Sequence, residues 1–445
     1  MSDGKIRILV LTNRDSDNVG DQIIEATVIS LLKAAMGNLD IPDEGFDITS
    51  RAASLISRKY MRTGDPALLT NARKAISESD VVVFGGAPLF NYRYQSFYLR
   101  TIKTLELARE YGVPVLFSSI GVEPFDAANP KSVQLRDALI SSGVRQITTR
   151  DDVESARRYV QGTDINVAHV SDPAVFADVI FGPSRLKQKP ATGSAPRVGL
   201  VVTRAGIFKD NGIPFTESDQ RRFWLGVIDT LTARGYDYKL FTTGHFSDEV
   251  FLDALVRAEN IPLSKAAITV NSPEELIDEL AACDGIIAYR LHASITSFAY
   301  GIPSIGLSWN FKVPYFYDSV GHGDRALDHS QWRPETVVSA LEKAMAEGVT
   351  KDEQFLLSVY DTLFSALKGI FAPESARSAY TYEELRKNLP RYGGTSLRQY
   401  REKIRRKLRR TYEYYKPPTA ADKTLPEPVS AGFLARVKRR IKAAF

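Results

Sequence analysis

The sequence predicts an α/β protein: two strand–helix halves facing each other across a cleft, followed by a basic helical tail. Three observations predict it. Short, nearly continuous apolar runs alternate with helical patterns, as parallel strands buried on both faces require. A stretch of linker composition, Pro183 to Pro196, separates two such series. Charge is segregated as well: residues Arg391 to Phe445 hold 16 Lys/Arg against 4 Asp/Glu, so the chain's net +5 leaves −7 for residues 1–390. The expected units are a first half at 1–183, a linker at 184–196, a second half at 197–375 and a tail at 376–445.

At 445 residues the chain is long enough for two ordinary domains and an extension. Its one cysteine, Cys283, allows no internal disulfide and agrees with a reducing compartment. The chain opens on a strand pattern rather than a basic-then-apolar leader, and no run of about 18 apolar residues occurs. A cytoplasmic location is therefore expected. The acidic body argues against nucleic acid as a partner.

Taken in order, Lys5 to Leu11 reads as a strand and Thr12 to Asp21 as a polar loop. A helix follows with Ile23, Ile24, Val28, Leu31, Leu32 and Ala35 on one stripe and Gly37-Asn38 as its stop. Asn18, Gly20 and Asp21 sit at the lip of this strand–loop–helix mouth; equally, Asp21 would serve as a plain N-cap. Strands are expected from Asp80 to Phe84, ending in Gly85-Gly86, and from Val113 to Ser119. Gln146 to Asp151 runs into a helix, and Val167 to Pro173 closes the first half. The glycines permit either a close-lying ligand or a simple turn. Arg150 and Asp151 would ordinarily be an ion pair at a helix start.

The second half repeats the alternation. Strands are expected at Arg197–Thr203 (followed by Arg204), Tyr238–Thr242, weakly at Ala267–Val270, at Gly285–Ala288 and at Pro303–Leu307. Helices are expected near 217–233, 247–258, 273–281 and 334–346, and one from about Leu291. The segment Asp284 to Pro303 concentrates chemistry. Arg290 and His292 stand at a strand's carboxyl end beside a helix amino terminus, where open α/β sheets bind ligands and where anions are favoured. A guanidinium can clamp a carboxylate or phosphate, and an imidazole can carry a proton near neutral pH. The five histidines are scattered, with no metal-site spacing.

In the tail, Leu397, Tyr400, Ile404, Leu408, Tyr412 and Tyr415 form one apolar stripe of a helix whose remaining surface is basic. Beyond the Pro-containing breaker at 417–428, Phe433, Leu434, Val437, Ile441 and Phe445 form a second such segment. Basic amphipathic helices suit an anionic membrane surface, so peripheral attachment at the inner face of a membrane is expected; docking on the body is the alternative.

The pattern Arg290-Leu-His292, with Gly301-Ile-Pro303 nine residues after the histidine, resembles the polysaccharide pyruvyltransferase family. Asn18-Val-Gly-Asp21, Val83-Phe-Gly-Gly86, Ser119-Ile-Gly121, Thr149-Arg-Asp151, Ser171-Asp-Pro173 and Arg204 arrive in that family's order, over roughly residues 5–345. This chain has Gly85-Gly86-Ala87 where many members have three glycines, and Trp309 where many have tyrosine. The resemblance implies a GT-B-like pair of Rossmann-like domains. It implies transfer of a pyruvyl unit from phosphoenolpyruvate onto two hydroxyls of a sugar in a cell-envelope glycan or its lipid-linked precursor, with release of phosphate. No cofactor is implied beyond phosphoenolpyruvate as co-substrate. On this reading Arg290 and His292 are catalytic, with His292 the proton carrier as acid or base. Arg204, Arg290 and Lys312 hold the donor. Asn18, Gly20, Asp21, Gly85, Gly86, Arg150, Asp151 and Asp172 line the acceptor side.

Two other readings compete. A glycosyltransferase with a nucleotide-sugar donor would be expected to carry acidic residues for the ribose, and the helix from Leu291 to Tyr300 has none. A non-catalytic glycan- or anion-binding protein would have no need of the Arg290–His292 pair.

Overall fold

The computed structural model describes residues 4–92, 97–183 and 195–416. The first half holds a six-stranded parallel sheet: β1 (Ile6–Thr12), β2 (Phe46–Ala52), β3 (Val81–Gly85), β4 (Val115–Ile120), β5 (Val144–Thr149) and β6 (Asn166–His169). Its strand order is β2-β1-β3-β4-β5-β6. The second half holds a five-stranded parallel sheet: β7 (Arg197–Val201), β8 (Asp237–Phe241), β9 (Gly285–Ala288), β10 (Ser304–Leu307) and β11 (Ala326–Leu327), in the order β11-β10-β9-β7-β8. The central strands are wholly buried, which is why they read as apolar runs.

The two wirings are the same. In each sheet the first strand of the half lies between the second and the third, so winding reverses direction there: between β1 and β3, and between β7 and β9. That reversal leaves a crevice at the strands' carboxyl ends, the ligand site of open α/β sheets. The loops after β1, β7 and β9 carry Asn18 to Asp21, Arg204, and Arg290 to His292.

The halves share an apolar core. It joins Val19, Ile23, Ile24 and Leu31 of the opening helix (Val19–Asn38) to Ala293 and Phe298 of the Leu291–Ala299 helix. It also includes Leu356, Tyr360 and Phe364 of a helix at Glu353–Phe371. That last helix lies in the range assigned by sequence to the second half, yet it crosses back onto the first. Ser171 N donates to Ser358 Oγ at 3.1 Å, Gln146 Nε2 to Thr362 O at 3.1 Å and Asn38 Nδ2 to Tyr360 OH at 2.9 Å.

Several expectations are corrected. Strand β2 shows no apolar run because its outward residues Asp47, Thr49 and Arg51 are polar and exposed, as suits a sheet edge. Residues 267–270 form no strand: Ala267 N reaches Leu240 O at 2.8 Å, but Val270 N turns to the Glu249 carboxylate at 3.0 Å. The tail helix (Leu397–Tyr415) lies on the body through its basic side, so of the stripe read from sequence Tyr400 and, at the helix end, Tyr415 are held there by hydrogen bonds, to Glu275 and Asp253. The segment from Phe433 to Phe445 lies outside the described residues, as do 184–194 of the linker. Among the described residues no helix is long and apolar enough to cross a membrane.

Candidate active site

The two crevices meet. Asn18, not Asp21, is the N-cap of the opening helix, its Oδ1 accepting from Gly20 N at 3.2 Å. Asp21 lies within the helix's first turn. The helix's first N–H, Val19 N, donates across to Thr243 O of the second half at 2.7 Å. The Asn18 Nδ2 lies 3.1 Å from His292 Nδ1. Gly20 makes this approach feasible: a Cβ there would stand 2.3 Å from the His292 Cβ.

This contact decides the imidazole's state. The Asn18 oxygen is engaged by Gly20, so its NH2 faces the ring, and His292 Nδ1 must accept. The ring proton is therefore on Nε2, which is shielded from solvent and has no hydrogen-bond partner among the described residues. Burial, then Arg150, Lys312 and Arg290, hold the imidazole well below its ordinary pKa. The sequence reading made His292 a proton carrier. The geometry makes it a neutral ring whose lone pair is taken by Asn18 and whose N–H is available.

On the second-half wall, Asp248 is the hub. It belongs to the first turn of the Phe246–Ala258 helix and is fully buried. Its carboxylate accepts from Arg290 Nε at 2.7 Å and Nη2 at 2.8 Å, from Arg204 N at 3.1 Å and from Thr203 Oγ1 at 3.3 Å. Burial pushes this carboxyl up, but Arg290, His245 and Arg204 hold it below the usual range. One carboxylate thus fixes the loops after β7 and β9 together. Arg290 arrives as half of a two-pronged ion pair rather than as a free clamp. The Arg204 side chain has no ion pair among the described residues; burial and the neighbouring Arg290 lower its pKa. His245 sits beside this group, pushed down to about 3 by burial against the pull of Asp248. Asp248 and His245 were missed by sequence reading, because an acid in a helix's first turn looks like any other.

The first-half wall is acidic. Asp21 is raised to about 6 by burial, against hydrogen bonds from Ser16 and Asn13 and the charges of Arg150 and Lys312. Asp151 is likewise raised by burial, against Lys312 and Arg150, and accepts from Val122 N at 3.1 Å. Lys312, expected at the donor, instead faces these carboxylates: burial lowers it while Asp151, Glu123 and Asp21 pull it back up. Glu123, also missed, is buried and accepts from Tyr92 N at 2.8 Å.

Three residues expected at the acceptor have structural partners. Asp172 spends one oxygen on Ala174 N at 2.8 Å and the other on Arg150, in a pair almost fully buried. Gly85 and Gly86 accommodate the opening helix: Cβ atoms there would stand 2.9 Å from Val28 and 2.4 Å from Ile24, and Gly86 has φ +59°. Arg150 is tied to Asp172 yet remains close enough to lower His292. Among the described residues no group of three or more His, Cys, Asp or Glu is placed to hold a metal ion.

Two like-wired α/β domains with a polar, charged cleft between their crevices make up the GT-B architecture. Solved structures agree on the fold. A putative UDP-N-acetylglucosamine 2-epimerase from Listeria monocytogenes superposes with TM-score 0.56 at 10% identity, covering 84% of this chain and 99% of that one. The UDP-GlcNAc 2-epimerase of Methanocaldococcus jannaschii gives TM-score 0.51 at 12% identity, covering 82% and 100%. No curated protein sequence matches the chain significantly. The sequence profile of the polysaccharide pyruvyl transferase family matches residues 18–310, and the chain belongs to that family.

Proposed function

We propose that the protein transfers a pyruvyl unit from phosphoenolpyruvate onto two hydroxyls of one sugar, in a cell-envelope glycan or its lipid-linked precursor. One observation carries this reading. The neutral, unpartnered N–H of His292 lies in the field of Arg150, Lys312 and Arg290, with Arg204 beside Arg290 on one wall and the carboxylates of Asp21 and Asp151 beside Arg150 and Lys312 on the other. The donor's carboxylate and phosphate belong on the wall of Arg204 and Arg290, where two guanidiniums face one carboxylate. Sugar hydroxyls belong on the acidic wall.

In the first step a sugar oxygen bonds to the central carbon of the enol, and its methylene carbon takes a proton. Asp21, poised near neutrality, removes the hydroxyl proton and returns it to the methylene. In the second step the neighbouring hydroxyl displaces phosphate from the same carbon, closing the ketal, and its proton leaves with the phosphate. His292 donates Nε2–H to the donor's oxygens as charge develops on them, a role suited to a neutral imidazole. Arg290, held by Asp248, fixes the donor without reorganisation.

The test is incubation with phosphoenolpyruvate and candidate diol glycans, measuring phosphate release and ketal formation. Nucleotide release from a nucleotide sugar, without consumption of phosphoenolpyruvate, would overturn the reading.

A further inference from the structure

An amphipathic helix lying on a protein normally buries its apolar stripe and leaves its charges in water. The tail helix does the reverse. Its docked side is Tyr400, Lys403, Lys407, Arg410 and Tyr414, with Lys403 and Lys407 only 3% and 6% exposed. Lys407 Nζ reaches Glu249 at 2.5 Å and Val270 O at 2.8 Å, Tyr400 OH reaches Glu275 at 2.5 Å, and Arg410 pairs with Asp17. The outward row is apolar: Leu397, Leu408 and Tyr412 are 61%, 63% and 67% exposed, and Tyr415 at its edge is 59% exposed with its hydroxyl on Asp253 at 3.4 Å. Exposed Arg401, Arg405 and Arg409 stand among them.

We infer that this outward face rests on an anionic phospholipid bilayer. The apolar row suits the acyl boundary, the tyrosines the interface, and the arginines the lipid phosphates. A second copy docked by the same face would bring two arginine rows together, an arrangement that like charge disfavours. Nucleic acid would use the arginines but leave the leucines in water. The chain beyond Lys416 carries 6 more Lys/Arg against 2 Asp/Glu, interleaved with Phe433, Leu434, Val437, Ile441 and Phe445, and so continues the same chemistry.

The position gives the surface its use. Arg410 holds Asp17, next to Asn18 at the cleft, and Lys407 holds Glu249, next to Asp248. A bilayer on the outward face therefore lies beside the cleft, where an acceptor carried on a lipid would arrive. That last clause rests on the pyruvyl-transfer reading; the bilayer contact itself does not.

The test uses the full chain with Leu408→Cys carrying an environment-sensitive dye, since Cys283 is the only native cysteine and is buried. With vesicles of equal parts phosphatidylglycerol and phosphatidylcholine, emission should shift to the blue; with pure phosphatidylcholine it should not. A dye at Glu413→Cys, off the outward row, should stay unshifted. The double variant Leu408→Asp/Tyr412→Asp should weaken vesicle flotation by about tenfold or more, with unchanged thermal unfolding. No shift with anionic vesicles would overturn the inference. So would a lipid-free shift that grows with protein concentration, which signals a second copy, or wild-type flotation by the double variant. Phosphate release with a water-soluble acceptor is read separately, so the surface and the reaction can fail independently.

Discussion

Asn18 and His292 come from opposite halves of the molecule, 274 residues apart, and meet at 3.1 Å, Nδ2 to Nδ1. The same asparagine caps the opening helix, so one side chain sets the start of a helix and the tautomer of an imidazole. Asn18→Asp separates the two. Aspartate caps as well as asparagine, so unfolding should shift little. Its carboxylate would accept from Nδ1–H, leaving a bare lone pair on Nε2. Turnover should fall about 10²–10⁴-fold, the usual loss for a wrong tautomer or a missing donor. Steady-state phosphate release checks the rate, and nitrogen NMR of the ring checks the tautomer.

Gly20→Ala tests the closeness of that meeting. The new methyl would occupy the place of the His292 side chain. Overpacking of this kind costs about 1–3 kcal/mol, and the displaced ring should cost activity at least about a hundredfold. Equal activity in this variant would show that the ring need not sit beneath the helix end. Gly86→Ala, with a similar clash against Ile24, should destabilise without that selective loss of turnover.

Asp248→Ala should leave Arg290 buried and uncompensated, at a cost of about 3–5 kcal/mol in denaturant unfolding. Surviving enzyme should show a raised KM for phosphoenolpyruvate, because both guanidinium loops lose their anchor. A raised KM for the sugar alone would place the donor elsewhere.

Asp21 gives a pH dependence with a definite sign. Its folded pKa of about 6 lies above the unfolded value of 3.8, so the folded state favours the protonated form. The carboxylate is needed to take a hydroxyl proton, so kcat/KM should fall tenfold per unit below about pH 6. The same raised pKa makes the ionised side chain a burden on the fold. Asp21→Asn should lose activity yet gain stability at pH 7, on the order of 3 kcal/mol. That gain should shrink as pH falls from about 6 and be gone below about 4. Urea unfolding across pH reads it directly.

How far the fold was legible follows from where its information lies. Strands such as Val81–Gly85 and Gly285–Ala288 are buried on both faces, so their apolar runs stand out. The edge strand Phe46–Ala52 has no such run. In the site, Arg290, His292, Arg204 and Asp21 were visible because each follows a strand at a loop–helix junction. Asp248 and Glu123 were not, since their meaning comes from partners dozens of residues away. Lys312 leans toward Asp151, Glu123 and Asp21 of the first half, and a strand-end lysine does not announce such a lean in sequence. The tail shows the limit of periodicity. It located the apolar stripe, but an acidic body, read only as a net charge, had already claimed the basic side.

The Glu353–Phe371 helix, packed back on the first half, has a mechanical meaning. The chain passes between the halves after Pro183, again ahead of Glu353, and a third time between Tyr392, whose N–H donates to Ile180 O, and Thr395, whose N–H donates to Glu274. The tail helix then spans the seam, with Lys407 on Glu249 and Arg410 on Asp17. Sliding or twisting of one half on the other would have to unpack the Glu353–Phe371 helix and the core that the opening helix shares with the Leu291–Ala299 helix. The meeting of Asn18 and His292 is thus braced from outside the cleft, by segments that touch neither residue.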